Sequence, residues 1–247
     1  MVWCRENNLK INIDKCVRVT FTTRRTSNIT CQYHIDNIFI KEQKQIKDLG
    51  VTFDSNITFR QHIINITNTG FKMLGFICRN SKYFNKIYTI KLLYNSYVLP
   101  HLEYAALVWS PITKSAAQQL EKVHNKYLRF LYFKKHKIYP HWLHHPVPTT
   151  SLLREFEMLT LEKRRELSDL LFLYKLLNNK IDSCHLLSSV TFSVLPCCLR
   201  HRTLFYKQPH RTVKLLNSPI GRVMSLYDHK YSHLDLFAMS YRQFKNV

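Results

Sequence analysis

The spacing of apolar residues changes its period near residue 58 of the chain. Before this point, short segments rich in β-branched and aromatic residues alternate with Asn, Thr, Ser and Asp, a pattern typical of short antiparallel strands. Residues 16–21, 31–40 and 45–53 are predicted to form three such strands. Because so few strands bury too little apolar surface to be stable alone, we expect them to be the edge of a sheet whose remainder lies outside this chain.

After residue 58, apolar residues recur at spacings of three and four, which predicts amphipathic helices. We expect Pro100 to end the second of these helices, because proline disfavours helical backbone in the residue before it. The predicted buried faces are Phe59, Ile63, Ile66, Gly70, Met73, Leu74 and Ile77 in the first helix; Ile87, Ile90, Tyr94 and Tyr97 in the second; Ala116, Leu120, Val123, Tyr127, Phe130 and Leu131 in the third; and Leu167, Leu170, Leu171, Tyr174 and Leu177 in the fourth.

Proline positions indicate where these segments are connected. Three prolines lie among histidines between residues 140 and 148, and prolines recur after residue 183. We therefore predict an α+β fold with four regions. They are a small antiparallel β-rich piece over residues 1–57, a mainly helical body over 58–139, a connector with a second helical segment over 140–182, and a basic irregular C-terminal region over 183–247.

The net charge of the chain predicts the kind of partner that it binds. Lys and Arg number 37 against 16 Asp and Glu in 247 residues, a formal net charge of +21. Like charges at this density repel one another in the compact state, and binding to a polyanion relieves the repulsion. Nucleic acid is the polyanion we expect first, and an anionic membrane surface is the alternative.

Composition also excludes several classes of protein. Only four glycines occur, and none has the spacing of a dinucleotide-binding or Walker loop. No uninterrupted apolar run approaches the ~18 residues of a membrane span, and the first ten residues lack the apolar stretch of a signal peptide. We therefore expect an intracellular protein, cytoplasmic or nuclear, that has no membrane partner and keeps its seven cysteines reduced.

One predicted helix carries a stripe of cations beside its apolar face. Lys122, Lys126 and Arg129 lie at positions i, i+4 and i+7, and Lys134 and Lys135 continue the run. Aromatic residues are interleaved with them, and no acid occurs between residues 121 and 155. The pattern favours contacts with backbone phosphates. The aromatic side chains could instead belong to the core, with the cations forming a solvated face, and for base stacking we consider the core the better interpretation.

The sequence gives little support for a metal site or for the active site of a hydrolase. The C-terminal region contains candidate zinc ligands, but two of the cysteines are adjacent, and structural zinc sites usually use two spaced pairs. No G-x-S-x-G or H-E-x-x-H motif occurs, and no two aspartates are adjacent. We predict no metal site. The zinc candidates considered are Cys184, His185, Cys197, Cys198, His201 and His210.

Short motifs in a fixed order resemble a known family. They are W-C-R-E-N-N-L-K-I-N-I-D-K-C (3–16), I-K-D-L-G-V (46–51), F-R-Q-H-I (59–63), L-G-F-I-C-R (74–79), Y-V-L-P-H-L-E-Y-A (97–105), V-W-S-P (108–111), L-E-K-R-R-E-L-S-D-L-L-F-L-Y-K-L-L (161–177) and N-S-P-I-G-R (217–222). Their order and spacing resemble the C-terminal half of the reverse transcriptase of non-LTR (LINE-type, jockey-like) retrotransposons. The resemblance spans nearly the whole chain.

The resemblance implies roles for particular residues. Residues 1–57 would be the end of the polymerase palm, and Lys15 matches the lysine proposed as general acid toward the pyrophosphate leaving group. The hairpin with Lys47 and Gly50 would be the primer grip, and the helices beyond would be the thumb, which cradles the template–primer duplex. The nucleic-acid contacts are therefore expected at Lys47, Gly50, Lys122, Lys126, Arg129, Lys134 and Lys135.

The resemblance also implies what this sequence lacks. The metal-binding aspartates of the family lie upstream of the first motif found here, so Mg²⁺ is expected for the complete polymerase but no cofactor for this fragment. We therefore expect an RNA-directed DNA polymerase fragment that binds the RNA or DNA template–primer duplex with the missing N-terminal part and is inactive alone. The alternatives are a domesticated nucleic-acid-binding or scaffold protein, and an insertion relic without function.

Overall fold

The chain divides into two compact units, Met1–Ile66 and Thr67–Val247, in a computed structural model. The structure describes residues 2–22, 31–35, 37–110, 113–139, 147–194, 203–206, 218–239 and 241–245. Short paired strands occupy the first unit and helices the second, which confirms the predicted α+β class.

The first unit contains short strands in pairs. After helix α1 (Val2–Glu6) and a 3₁₀ turn (Ile13–Lys15), the strands β2 and β3 pair antiparallel, as do β5 and β6, whereas β1 and β4 pair in parallel. The strands are β1 (Val17–Arg18), β2 (His34–Ile35), β3 (Ile38–Phe39), β4 (Lys41–Glu42), β5 (Gln45–Asp48) and β6 (Val51–Asp54).

The predictions of single strands over residues 31–40 and 45–53 are wrong, because the first segment contains the paired strands β2 and β3 and the second folds back on itself as the β5–β6 hairpin. Asp48 pairs with Val51, so that Leu49 and Gly50 form a two-residue turn. Their φ angles are 43° and 86°. Positive φ at both positions defines the turn whose twist matches a two-residue hairpin, and glycine adopts it without steric cost.

Asp54 links this hairpin to helix α2 (Arg60–Asn80). Its carboxylate accepts hydrogen bonds from the backbone N–H groups of Asn56, Thr58 and Phe59, the last at 2.8 Å, and from the Thr58 hydroxyl. Burial alone would raise the pKa of Asp54, but these hydrogen bonds outweigh it and hold the pKa below its usual value. One carboxylate thus fixes the turn that precedes the helix.

The four helices predicted from apolar spacing are confirmed as α2, α3, α6 and α8. Tyr97, however, is 53% exposed, and Val98 is buried in its place. Pro100 lies in the first turn of a new helix, where its missing N–H costs nothing. The helices are α3 (Ile87–Tyr97), α4 (Leu99–Glu103), α5 (Ala106–Trp109), α6 (Lys114–His136), α7 (Thr149–Glu155), α8 (Leu161–Leu177), α9 (Cys184–Ser188), α10 (Pro219–Leu226) and α11 (Tyr241–Lys245).

Within the second unit, α2 approaches α4 and α6 closely at Gly70. A Cβ atom at this position would lie 2.9 Å from Leu102 Cδ2 and 3.4 Å from Val123 Cγ1. The side chains of Leu102 and Val123 are fully buried. The absence of a side chain at Gly70 therefore lets the backbone of α2 pack directly on the core residues of its neighbours.

The core between α3 and α6 contains a polar cluster. The rings of Tyr94 and Tyr127 stack with centroids 3.6 Å apart, and the Tyr94 hydroxyl and His124 Nδ1 form a hydrogen bond of 2.8 Å. All three side chains are fully buried. Burial, aided by the charge of Arg164, lowers the pKa of His124 to about 4, so the imidazole is neutral near neutral pH.

An ion pair between Arg222 and Asp169 joins α10 to α8. Arg222 Nε donates to Asp169 Oδ2 at 2.9 Å, and Nη2 donates to Oδ1 at 3.2 Å. The same guanidinium donates to the carbonyl oxygens of Leu107, at 3.0 Å, and Ser110. These carbonyls lie at the end of α5, where helical partners are missing. One side chain therefore ties three helices together.

The region predicted as irregular contains helices α9, α10 and α11 in its described parts. Phe205, Val223, Tyr227 and Tyr231 are buried against Leu170, Leu173 and Tyr174 of α8. These apolar contacts supply the stabilisation that the local sequence pattern does not reveal. The basic residues Arg200, Arg202, Lys207, Arg211 and Lys214 all lie outside the described residues.

We predict that Arg222→Met lowers the free energy of unfolding by about 3–5 kcal/mol, because it leaves Asp169 buried without its partner. The double variant Arg222→Met with Asp169→Leu should recover much of this loss. Urea unfolding measures both. Lys230→Met is the matched control, since Lys230 pairs with Glu166 at the surface and should cost less than about 1 kcal/mol. Equal losses for Arg222→Met and Lys230→Met would contradict the assignment.

We also predict that His124 makes stability depend on pH. Its pKa in the folded protein lies below the ordinary value near 6.5, so the unfolded chain binds the proton first as the pH falls. Stability should therefore decrease from about pH 6.5 down to about pH 4, by on the order of 1 kcal/mol per pH unit.

The variant His124→Asn isolates this contribution, because Asn can retain a hydrogen bond to Tyr94 and does not titrate. Urea unfolding at a series of pH values should give a shallower pH dependence for His124→Asn than for the wild type between pH 6.5 and pH 4. Identical slopes would show that His124 does not carry the effect.

Candidate nucleic-acid interface

A cleft of about 650 Å³ lies between α2 and α6 in the second unit. Helix α6 begins with a cap, in which the Thr113 hydroxyl accepts a hydrogen bond from the Ala116 N–H at 3.3 Å. The buried face of α6 packs on α3 and α8, so its other side forms one wall of the cleft. The lining residues are Phe71, Cys78, Lys122, Asn125, Lys126, Arg129, Phe130, Phe133 and Tyr139.

Three of the predicted cations meet in this cleft. Lys122 and Lys126 are exposed and Arg129 is half-buried, and all three line the same wall. In the part of the chain that the structure describes, no carboxylate forms an ion pair with any of them. Lys126 Nζ lies 5.5 Å from the centroid of the Phe71 ring, a weak cation–π contact. The cleft therefore presents positive charge that no carboxylate of the described residues neutralises.

Nearby carboxylates are directed to other partners. Glu103 forms a two-point ion pair with Arg164, with Oε2 2.9 Å from Nη2. Glu121 accepts a hydrogen bond at 2.9 Å from the N–H of Glu162 in the first turn of α8. Burial raises the pKa of Glu121, and hydrogen bonds from the start of α8 oppose this. Each of these acids stabilises a helix contact and forms no ion pair with the stripe.

Lys134 faces a different partner from the stripe. Its ammonium donates to the carbonyl oxygens of Ser81 at 2.5 Å and Lys82 at 2.9 Å, in the turn that follows α2. Burial lowers the pKa of Lys134, and the charge of Lys137 acts in the same direction. The side chain thus joins α6 to the end of α2, and it does not line the cleft.

Lys135 also points away from the stripe. Its Nζ lies 2.7 Å from Glu155 Oε1, and His136 Nε2 lies 2.7 Å from the same oxygen. Burial would raise the pKa of Glu155, but the hydrogen bonds from Lys135 and His136 hold it below its usual value. The structure thus brings together three of the five predicted α6 cations, and the nucleic-acid contacts of Lys134 and Lys135 stay predictions.

The predicted site residues of the first unit are at its surface. Lys15 is exposed and ends the 3₁₀ turn. Lys47 is exposed on β5, opposite Thr52, and Gly50 forms the hairpin turn next to Leu49, whose side chain is 84% exposed. The hairpin that the resemblance implied is therefore present, and its role as a primer grip stays a prediction.

The lining aromatic residues divide into two groups. Phe130 and the neighbouring Tyr127 are buried, as expected for core residues. Phe133 and Tyr139 stack on each other, with centroids 4.6 Å apart at 27°, and stay partly exposed. Trp142, the last aromatic of the basic run, lies outside the described residues.

The described residues do not form a metal-binding cluster. Among them, no three His, Cys, Asp or Glu side chains come together in a way that could hold an ion. Of the zinc candidates, Cys184 and His185 are exposed on α9, and Cys197, Cys198, His201 and His210 lie outside the described residues. The donor set for Mg²⁺ that the resemblance implies is therefore not supplied by the described part of the chain.

The residues of α2 that line the cleft were not predicted from the sequence. Phe71 and Cys78 have no special motif, and Phe71 follows Gly70, whose close contact with α6 brings the two helices together. Burial raises the pKa of the Cys78 thiol, although Lys126 lowers it, so this thiol is not an activated nucleophile. Asn125 lies between the cations and could have been found from its position on the stripe.

Two curated relatives are polymerases of mobile elements. Over 129 residues, 51% of its length, the chain is 24% identical to the probable RNA-directed DNA polymerase from transposon BS of Drosophila melanogaster. Over 65 residues, 26% of its length, it is 37% identical to the RNA-directed DNA polymerase from mobile element jockey of the same organism. The matches confirm the resemblance to reverse transcriptases of jockey-like non-LTR retrotransposons.

The aligned part of the chain spans 14% of the first relative and 7% of the second. No family profile matches the chain, and no solved structure is significantly similar to it. Among the described residues, no helix is both long and apolar enough to cross a membrane.

Proposed function

We propose that this chain is part of the RNA-directed DNA polymerase of a non-LTR retrotransposon and that it contributes contacts to the template–primer duplex. The observation that carries this proposal is the α2–α6 cleft, where Lys122, Lys126 and Arg129 line one wall without a carboxylate partner among the described residues. The similarity to the two mobile-element polymerases supports the same conclusion.

The spacing of the stripe suits a nucleic-acid backbone. Lys122 and Arg129 are seven residues apart on α6, which is about 10 Å along the helix axis. Successive phosphates of one DNA strand advance by about 3.4 Å along the duplex axis, so the stripe spans about three nucleotides. Contacts of this kind bind nucleic acid of any sequence, because the phosphates are the same whatever the bases are.

Catalysis would depend on the rest of the polymerase. The described residues offer no carboxylate cluster for two metal ions, and phosphoryl transfer depends on such ions to stabilise charge. Lys15, exposed at the end of its turn, would act as a general acid only where the leaving pyrophosphate comes within reach. We therefore propose that this chain is inactive alone, has the rest of the polymerase as its partner, and acts in the cytoplasm or nucleus.

We predict that the protein binds duplexes with little sequence preference and with strong salt dependence. Each phosphate neutralised contributes about −0.9 to the slope of log K against log salt concentration for B-form DNA. Replacing Lys122, Lys126 and Arg129 together with Gln should therefore flatten the slope by up to about 3 units. Fluorescence anisotropy with a labelled duplex at several salt concentrations measures the slope.

The control variant replaces Lys82, Arg154 and Lys180 with Gln. These exposed cations of the second unit do not line the cleft, and the variant changes the net charge equally. Its slope should stay closer to that of the wild type. If the two triple variants flatten the slope equally, net charge and not the cleft determines binding.

We predict that the purified chain does not extend a primer on an RNA or DNA template in the presence of Mg²⁺. The reason is the lack of clustered carboxylates among the described residues. A gel-based extension assay tests this, with a complete reverse transcriptase as the positive control. Extension that is lost when an acid within this chain is replaced would overturn the prediction.

A further inference from the structure

The α2–α6 cleft has a shape and lining that phosphate contacts alone do not need. Phosphates of a duplex lie on a convex surface, and a row of cations on an exposed helix face is enough to hold them. The cleft instead is concave and has a volume of about 650 Å³. This volume lies within the range of about 300–1,000 Å³ that small-molecule sites usually occupy.

The cleft combines the three chemical features that a single nucleotide presents. Lys122, Lys126 and Arg129 match the phosphates, and the partly exposed rings of Phe133 and Tyr139 match the flat face of a base. Asn125 lies on the same wall as the cations. Its side-chain amide has hydrogen-bond donors and an acceptor, so it can bond to the donors and acceptors on the edge of a base. A base paired within a duplex has neither its face nor its pairing edge available.

We propose that the cleft binds one unpaired nucleotide of a single-stranded segment, with its base on the Phe133–Tyr139 pair and its flanking phosphates on Lys122, Lys126 and Arg129. This inference rests on the proposed function, because it adds a site for one base beside the phosphate contacts already proposed for the same cleft. It differs from duplex binding in requiring a base that has left the stack.

The Phe133–Tyr139 pair is suited to this role by its position. Phe133 lies near the end of α6, one turn beyond Arg129, and Tyr139 follows the end of the same helix. The two rings are stacked on each other before any base arrives, so little side-chain freedom is lost on binding. Aromatic side chains that hold bases in this way are tolerant of sequence, since every base has a π face.

The test compares short labelled single strands that differ only in their bases. One strand carries ordinary bases, and the other has the same length and the same phosphates but abasic residues at its centre. Anisotropy with both strands, as DNA and as RNA, gives the ratio of the two dissociation constants. A base bound on aromatic rings should make the wild-type protein bind the base-bearing strand about tenfold more tightly.

Variants locate the effect within the cleft. Phe133→Leu combined with Tyr139→Leu keeps apolar volume and removes both rings, and it should bring the ratio close to one. Tyr88→Leu is the matched control, since it removes a 74% exposed tyrosine that does not line the cleft, and its ratio should stay near the wild-type value. Tyr139→Leu alone provides a second cleft variant if the double variant does not fold, because Tyr139 is exposed, and it should also lower the ratio.

The outcomes separate this proposal from the function on which it rests. A wild-type ratio near one, or a ratio that survives in both cleft variants, would overturn the nucleotide site. The proposed function would still stand if the Lys122, Lys126 and Arg129 variant weakens duplex binding. Failure of the wild type to bind duplex and single strands alike would overturn both.

Discussion

Arg222 and its ion pair with Asp169 join helices α5, α8 and α10 of the second unit. The Arg222 guanidinium also donates hydrogen bonds to the carbonyl oxygens of Leu107 and Ser110. The single cation Arg222 therefore provides hydrogen bonds both to a buried carboxylate and to carbonyl groups at the end of a helix. Removing either partner would leave the other charged and buried, which is far more costly than a broken surface pair.

This pair also brings three distant motifs of the sequence into contact. Ser110 belongs to the segment V-W-S-P, Asp169 to the long helical motif of α8, and Arg222 to N-S-P-I-G-R. A second such link joins Glu103 in the motif around Pro100 to Arg164 of α8. These four charged residues thus join helices of the fold, and none of them lines the cleft.

The contacts that acidic residues make within the fold determine which cations remain available to bind nucleic acid. With 16 acids against 37 bases, each acid committed to a helix contact leaves more cations without a partner. Glu103, Glu121, Glu155 and Asp169 are all committed in this way. Lys134 and Lys135 also form hydrogen bonds within the fold, whereas Lys122, Lys126 and Arg129 have no carboxylate partner among the residues that the structure describes.

Apolar spacing predicted the four long helices because each buries one continuous face. It failed where long-range contacts decide the structure. Tyr97 fits the helical period but is exposed, since the chain turns at Val98 before Pro100. The α2 wall of the cleft depends on the close packing of Gly70, and the bonds of Lys134 depend on a turn more than fifty residues away. Neither can be read from local sequence.

Lysine footprinting tests the central claim, that the cleft cations contact nucleic acid while other cations serve the fold. Brief labelling with an amine-reactive reagent, with and without bound duplex, gives the protection of each lysine by mass spectrometry. We predict strong protection of Lys122 and Lys126 by the duplex, little change at Lys82 and Lys180, and slow labelling of Lys134 in both states. Equal protection of Lys82, Lys122, Lys126 and Lys180, or none at Lys122 and Lys126, would contradict the account.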